Sequence, residues 1–316
     1  MTRLTWRLAR PNILASLALL AALALYAVLT RRAMTADLDG SGLSACLTSG
    51  GDCLSLARDF TDKFNVVLNT HRLLLLVPLL IGMFWGGPLV AREIEQGTHR
   101  LAWTQSVSRG RWLATKLGIF LLGAAAVAAA LTQLMTWWFT PIERVQDNFG
   151  RMNLDVFDFR GIVPVAYTVF AFALGAAAGA IFKRTVPAMV VTLVAYLPIK
   201  IGVQTLRDQY LAPLDVTYAF GTSSPRLGSG DWLLSSEVVN RGGEVLGSAG
   251  VSNPCQAMAG KAAAEACSVE NGYRFVDTYQ PLSRFWSFQL IESGIFVCLS
   301  VVVLAVATWW ILRRTA

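Results

Sequence analysis

Between Leu117 and Thr140 the chain carries no ionisable side chain at all. A helix over that stretch is longer than the ~30 Å hydrocarbon layer of a bilayer and has no polar face to offer water. That feature decides which solvent the fold is built for. Five more stretches approach or exceed the roughly 20 apolar residues needed to cross. The set of six is about 12–30, 73–91, 114–139, 161–182, 185–206 and 285–312. Pro78, Pro88, Pro187 and Pro198 fall in or at the ends of the second and fifth. Such kinks are tolerated where neighbouring helices or trapped water satisfy the freed carbonyls. Only 15% of residues are charged, against roughly 25% in soluble domains. The sequence therefore predicts an all-α integral membrane protein, a six-helix transmembrane bundle forming one domain over residues 1–316.

The first run, Ile13 to Leu29, follows Arg3, Arg7 and Arg10 as a signal peptide would. It leads into Thr30-Arg31-Arg32 rather than a small-x-small cleavage site, and five spans follow, so it is read as a retained helix.

Orientation follows from basic residues beside short loops. With the N-terminus inside, the cytoplasmic segments and span edges hold 12 basic residues against two acids, Glu93 and Glu95. The outer segments, 31–72, 140–160 and 207–284, hold 14 basic residues against 17 acids. Arg31, Arg32 and Arg72 run against this trend, which still places both termini in the cytoplasm of a multi-pass plasma-membrane protein. The net charge of +7 is thus mostly a cytoplasmic rim facing anionic lipid headgroups, and nucleic acid is not an expected partner. The last outer segment is Gly-, Ser- and Pro-rich and reads as a small irregular subdomain without recognisable strands.

Cys46 and Cys53 fall in the first outer segment, and Cys255 and Cys267 in the last. An oxidising exterior permits two local disulfides there, the alternative being free thiols in loops. No metal site is expected from His71 and His99, which this topology puts on opposite sides of the membrane.

The segment from Arg92 to Trp112 reads Arg-Glu-Ile-Glu-Gln-Gly-Thr-His-Arg-Leu-Ala-Trp-Thr-Gln-Ser-Val-Ser-Arg-Gly-Arg-Trp. Gly97 is a natural stop for the second helix, Thr98 can cap a short new one, and Ser108 can cap the third span. A short charged and aromatic helix between two spans suits either docking another protein or anchoring at headgroups. The pattern Glu93-x-Glu95-x-Gly97-Thr98…Leu101-Ala102-Trp103-Thr104-Gln105-Ser106-Val107-Ser108-Arg109-x-Arg111-Trp112…Lys116 resembles the first cytoplasmic loop of type 2 ABC exporter permeases, actinobacterial ones in particular. Tyr279-Gln280-Pro281-x-Ser283-Arg284-Phe285-Trp286-x-Phe288-Gln289-x-Ile291-Glu292 is similar to that family's entry to its last span. The resemblance implies that loop 92–113 holds a coupling helix seated in a cleft of an ABC ATPase subunit. It assigns the ATPase contact to Glu93, Gly97, Thr98, Leu101, Trp103 and Arg109. It also makes Arg3, Trp6, Arg7 and Arg10 part of an N-terminal interfacial helix, and implies a second permease copy, a homodimer being expected.

A permease of that kind needs no engine of its own, and the sequence offers no P-loop. The only Gly-Lys pair, Gly260-Lys261, is followed by Ala262 and has Cys255 where the first glycine belongs. ATP and Mg are expected on the partner, with no catalytic residue and no cofactor in this chain. Glu292, with Gln289 one turn before it, is an intramembrane polar candidate, since a carboxylate inside a span is costly unless it faces protein or water. Its plainer reading is a residue of the outer interface paired with Arg284 or another loop cation. Lys200 reads as a snorkelling residue. Trp137, Trp138, Trp309 and Trp310 sit where aromatic belts belong, and Gly175-x-x-x-Gly179 allows close helix approach.

The expected function is an ATP-driven exporter permease. The alternative is a non-transporting immunity or sensory protein that binds ligand with its outer loops. A secondary transporter would show internal repeats and more embedded ionisable groups. A membrane enzyme would need clustered titratable residues.

Overall fold

The computed structural model describes residues 2–49, 52–97, 109–145, 151–220, 222, 230–248, 255 and 260–314. Among them, six helices are long and apolar enough to cross a membrane: Ala18–Gly40, Asn65–Glu95, Leu113–Glu143, Val163–Phe182, Thr185–Thr205 and Leu282–Ile311. The chain divides into two units, a helical one (1–145, 158–205 and 289–316) and a second made of 146–157 and 206–288.

In the helical unit, α1 runs unbroken over Thr2–Gly40. The segment bearing Arg3, Trp6, Arg7 and Arg10 is therefore the start of this helix rather than a helix of its own. Three short helices follow: α2 (Leu43–Ser49), α3 (Leu54–Lys63) and α4 (Asn65–Leu74). A Cys46–Cys53 disulfide closes the turn between the first two. The second span then passes through α5 (Val77–Ile81), a π-helical turn at Gly82–Gly86, and α6 (Gly87–Glu95). Pro78 and Pro88 lie just inside α5 and α6, on either side of the π-helical turn, within one continuous span. The third span is α7 (Arg109–Glu143), the fourth α9 (Val163–Phe182), the fifth α10 (Thr185–Thr205) and the sixth α12 (Phe285–Arg314).

The fourth span is the hub, because small residues let other helices come close to it. A Cβ placed on Gly175 would lie 2.2 Å from the Gly82 carbonyl oxygen, and one on Gly179 would lie 2.4 Å from that of Gly87. In the other direction, a Cβ on Gly82 would meet the Ala171 oxygen at 2.4 Å, and one on Gly86 the Phe172 oxygen at 2.5 Å. The glycines of spans two and four thus interlock backbone to backbone, and the π-turn lies inside this seam. Around it Trp85, Leu89, Phe120, Phe172 and Ile311 form an apolar core shared by spans two, three, four and six. Trp138 is fully buried rather than part of a belt: its indole donates to Thr30 Oγ1 at 2.8 Å and its ring meets Tyr26 edge-on. Trp137 and Trp309 are about half exposed, at 43% and 49%.

The second unit contains α8 (Leu154–Phe157) and α11 (Lys261–Glu270), and it does contain strands, contrary to the expectation from sequence. β1 (Leu214–Ala219), β2 (Trp232–Val239), β3 (Val245–Ser248) and β4 (Arg274–Gln280) form an antiparallel sheet in the order β1-β4-β2-β3. The β2–β3 hairpin turns on Asn240, whose side-chain oxygen accepts from the N–H groups of Gly242 and Glu244 at 2.9 Å each. Asp277 on the central β4 is buried, and it accepts hydrogen bonds from Tyr218 and Ser236 on the strands to either side. Cys255 is bridged to Cys267 on α11.

Candidate functional site

Four-residue spacing places Tyr196, Lys200 and Gln204 on one face of α10. Opposite the last two stands Asp158, just before the fourth span and only 5% exposed. Its Oδ2 lies 3.1 Å from Lys200 Nζ and also accepts from the Gln204 amide. Lys200 is 9% exposed, so it does not snorkel to an interface; it is an interior cation with a partner. Asp158, which the sequence reading left in an outer loop, is that partner.

Tyr167, four residues into the fourth span, joins this pair to the sixth. Its hydroxyl lies 3.2 Å from Asp158 Oδ1 and within hydrogen-bonding contact of Glu292 Oε1. The Lys200 ammonium stands 5.0 Å from the centre of the Tyr167 ring, close enough for a cation–π contact. Glu292 is fully buried and meets Tyr167, whereas the Arg284 guanidinium donates instead to the Ala212 carbonyl and to Gln280 Oε1. Expecting no clustered titratable groups was therefore wrong, because Asp158, Tyr167, Lys200 and Glu292 converge.

One turn before Glu292, Gln289 is also fully buried. Its side-chain oxygen accepts from the Ile162 and Val163 N–H groups, at 2.9 Å each, so the sixth span caps the N-terminus of the fourth. Gly161 makes room for this: its φ is +68°, and a Cβ there would lie 2.5 Å from that same oxygen. Beside the cap, Arg160 is buried and paired with Glu143 at the end of the third span. Burial pulls the Arg160 guanidinium down to about 10, still a cation at neutral pH.

A cavity of about 20 Å³ borders the node, lined in part by Thr132, Asp158, Tyr167, Thr168 and Lys200. That is room for about one water molecule, not for an organic substrate. The site can hold or move charge; it does not enclose a transported molecule.

The other candidate residues lie at the far end of the second span. Gly97, with φ +69°, ends that helix by donating to the Ile94 carbonyl. Glu93 pairs with Lys116 of the third span, and Lys116 is 6% exposed. Glu95 accepts from Thr185 Oγ1 at 2.8 Å, fastening the second span to the first residue of the fifth. Both acids bind neighbouring spans, Glu93 in a part-buried pair and Glu95 on the exposed surface. Arg109 opens α7, while Thr98, Leu101 and Trp103 lie outside the described residues.

The sequence singles out neither Asp158, Tyr167 nor Gln204, and Lys200 only as a snorkelling residue, because each is unremarkable in its own segment. The available signal was the spacing of Tyr196, Lys200 and Gln204, which puts three polar side chains on one face of an otherwise apolar helix.

Comparison with known proteins adds one match: a family model described as ABC-2 membrane transporter related fits residues 17–207, more than half of the chain. No curated protein and no solved structure matches.

Proposed function

The chain belongs to the ABC-2 membrane transporter related family, and from that premise we propose that it is the permease subunit of an ATP-driven exporter. Membership makes it a multi-pass transporter permease and implies an ABC ATPase partner in general. The finer reading puts the ATPase contact on the loop carrying Thr98, Leu101, Trp103 and Arg109. It has two identical permeases pairing in the plasma membrane and both termini in the cytoplasm.

The observation that carries this reading is how the base of that loop is built. Through Glu93–Lys116 and Glu95–Thr185 the loop's root is tied to spans two, three and five. A push on a loop rooted this way moves three spans together, the kind of rigid-body step that alternating access requires. Glu93 then acts by holding the loop's root rather than by touching the ATPase, which refines the role the motif alone suggested.

Affinity purification of the tagged chain in mild detergent tests the reading, with Trp103→Ala and Leu101→Ala run alongside. A stoichiometric P-loop ATPase with the wild type, lost from both variants, is the expected result. Absence of any ATPase even after crosslinking would overturn it. Function would then have to be sought in the disulfide-bonded segments, as a sensory or immunity protein requires.

A further inference from the structure

Two arginines meet at the end of the third span that lies away from the 92–113 loop. Arg31 of α1 donates to the Trp137 carbonyl of α7, and its guanidinium carbon stands 4.6 Å from the centre of the Trp137 ring. Arg144, just past the end of α7, comes seven residues after Trp137, two turns on and so on the same side of the helix. Its charge acts on that of Arg31. Like charges brought together repel, and a carboxylate is the usual remedy. Among the described residues neither arginine is paired with one. Glu143, next to Arg144, is engaged by Arg160, and Asp37, on the same helix as Arg31, is engaged by Lys63. Arg144 is exposed, Arg31 is half-buried, and Trp137 is 43% exposed, so the pair is open to whatever surrounds the helices there.

We infer that Arg31 and Arg144 bind the phosphate of a membrane phospholipid, with Trp137 at the rim of the site. A guanidinium is planar and weakly hydrated, and its paired N–H donors match two oxygens of a phosphate. One phosphate held by both arginines replaces their mutual repulsion with two attractions. Depth selects a lipid as the source of that phosphate. Arg31 comes two residues after Leu29, where the apolar run of α1 ends. Arg144 comes four residues after Thr140, about 6 Å of helix rise beyond the stretch without ionisable side chains. The headgroup layer on each side of a bilayer is on the order of 5–7 Å deep, so both guanidiniums stand at the level of lipid phosphates. An exposed indole at the same level is the side chain that belongs there. The inference concerns one end of spans one and three and holds whether or not an ATPase co-purifies.

Native mass spectrometry of the full chain in mild detergent tests it, with dioleoylphosphatidylglycerol titrated in. Dioleoylglycerol, which has the same acyl chains and no phosphate, and inorganic phosphate serve as the other two probes. The wild type should retain the phosphatidylglycerol, should not retain the dioleoylglycerol, and should keep its lipid when millimolar inorganic phosphate is added. Arg31→Gln and Arg144→Gln should each weaken lipid retention roughly tenfold, the loss expected for one charge-assisted contact. Arg32→Gln removes an exposed charge beside the site and should change retention by less than about twofold. An Arg32→Gln loss equal to the other two would reduce the site to diffuse attraction and overturn the inference. Equal retention of dioleoylglycerol would overturn it in favour of an acyl-chain groove, and displacement by inorganic phosphate in favour of a site for a free anion. Arg144 is exposed at a helix end, so its variant reads the site even where Arg31→Gln fails to fold.

Discussion

The fourth span is held in two different ways along its length. Near its C-terminal end Gly175 and Gly179 lie against the backbone of Gly82 and Gly87, and nothing but shape keeps them there. At its N-terminal end Gln289 caps it, and Tyr167 joins it to Asp158 and Glu292. Backbone packing of the first kind has a single low-energy arrangement, because closing any gap requires the helices themselves to move. A hydrogen-bonded node of the second kind has alternatives, since protons and partners can be exchanged with water. The seam is suited to be a fixed fulcrum and the node to be the part that changes.

The largest effect should come from the seam. Gly175→Leu puts a side chain where not even a methyl group fits, and should cost upward of about 3 kcal/mol, enough to remove most folded protein. Its yield in detergent, by size-exclusion chromatography, should collapse. Gly202→Ala, whose Cβ meets nothing within 4 Å, should leave it unchanged. If Gly175→Leu behaves as wild type, the interlocked seam is wrong.

The node should respond next, and in a coupled way. Asp158→Asn and Lys200→Met should each cost about 3 kcal/mol, because each leaves a buried charge without its partner. The double variant should cost clearly less than the sum of the two, a coupling visible in thermal unfolding. Simple additivity would mean that the pair is not an interaction unit. The cap should give the smallest effect: Gln289→Ala should destabilise by about 1–2 kcal/mol, by freeing two N–H groups at a helix start. In the same assay, a loss as large as that of the charge variants would show that Gln289 does more than cap.

How much of this was legible in the sequence depended on whether the signal was local. The spans were legible, because an apolar run such as 117–140 has to cross a bilayer whatever its neighbours are. Glu292 and Gln289 were legible as candidates, because a carboxylate and an amide inside a span are conspicuous. Their partners were not. Asp158 precedes the fourth span and looks like a loop acid, and Lys200 alone fits a snorkelling residue equally well. Only the tertiary approach of three spans turns them into one site. The sheet was hidden for a similar reason. Leu214 pairs with Tyr279, and β2 lies beside β4 rather than β1, so its order rests on contacts distant in sequence. Gly- and Ser-rich connections hide such strands further. The loop motif at 92–112 stood out by pattern, and the structure adds what its roots hold, through Glu93 and Glu95.

The most direct test of a fixed seam beside a changeable node is double electron–electron resonance on the permease with its ATPase, with and without trapped ATP. With Cys298 changed to serine, one label pair would replace Phe84 and Ile181 beside the seam, and the other Ile162 and Leu290 beside the node. All four are exposed side chains, so labelling leaves the core intact. The account predicts that ATP leaves the seam distance unchanged and shifts or broadens the node distance. A seam distance that moves while the node distance stays constant would contradict it.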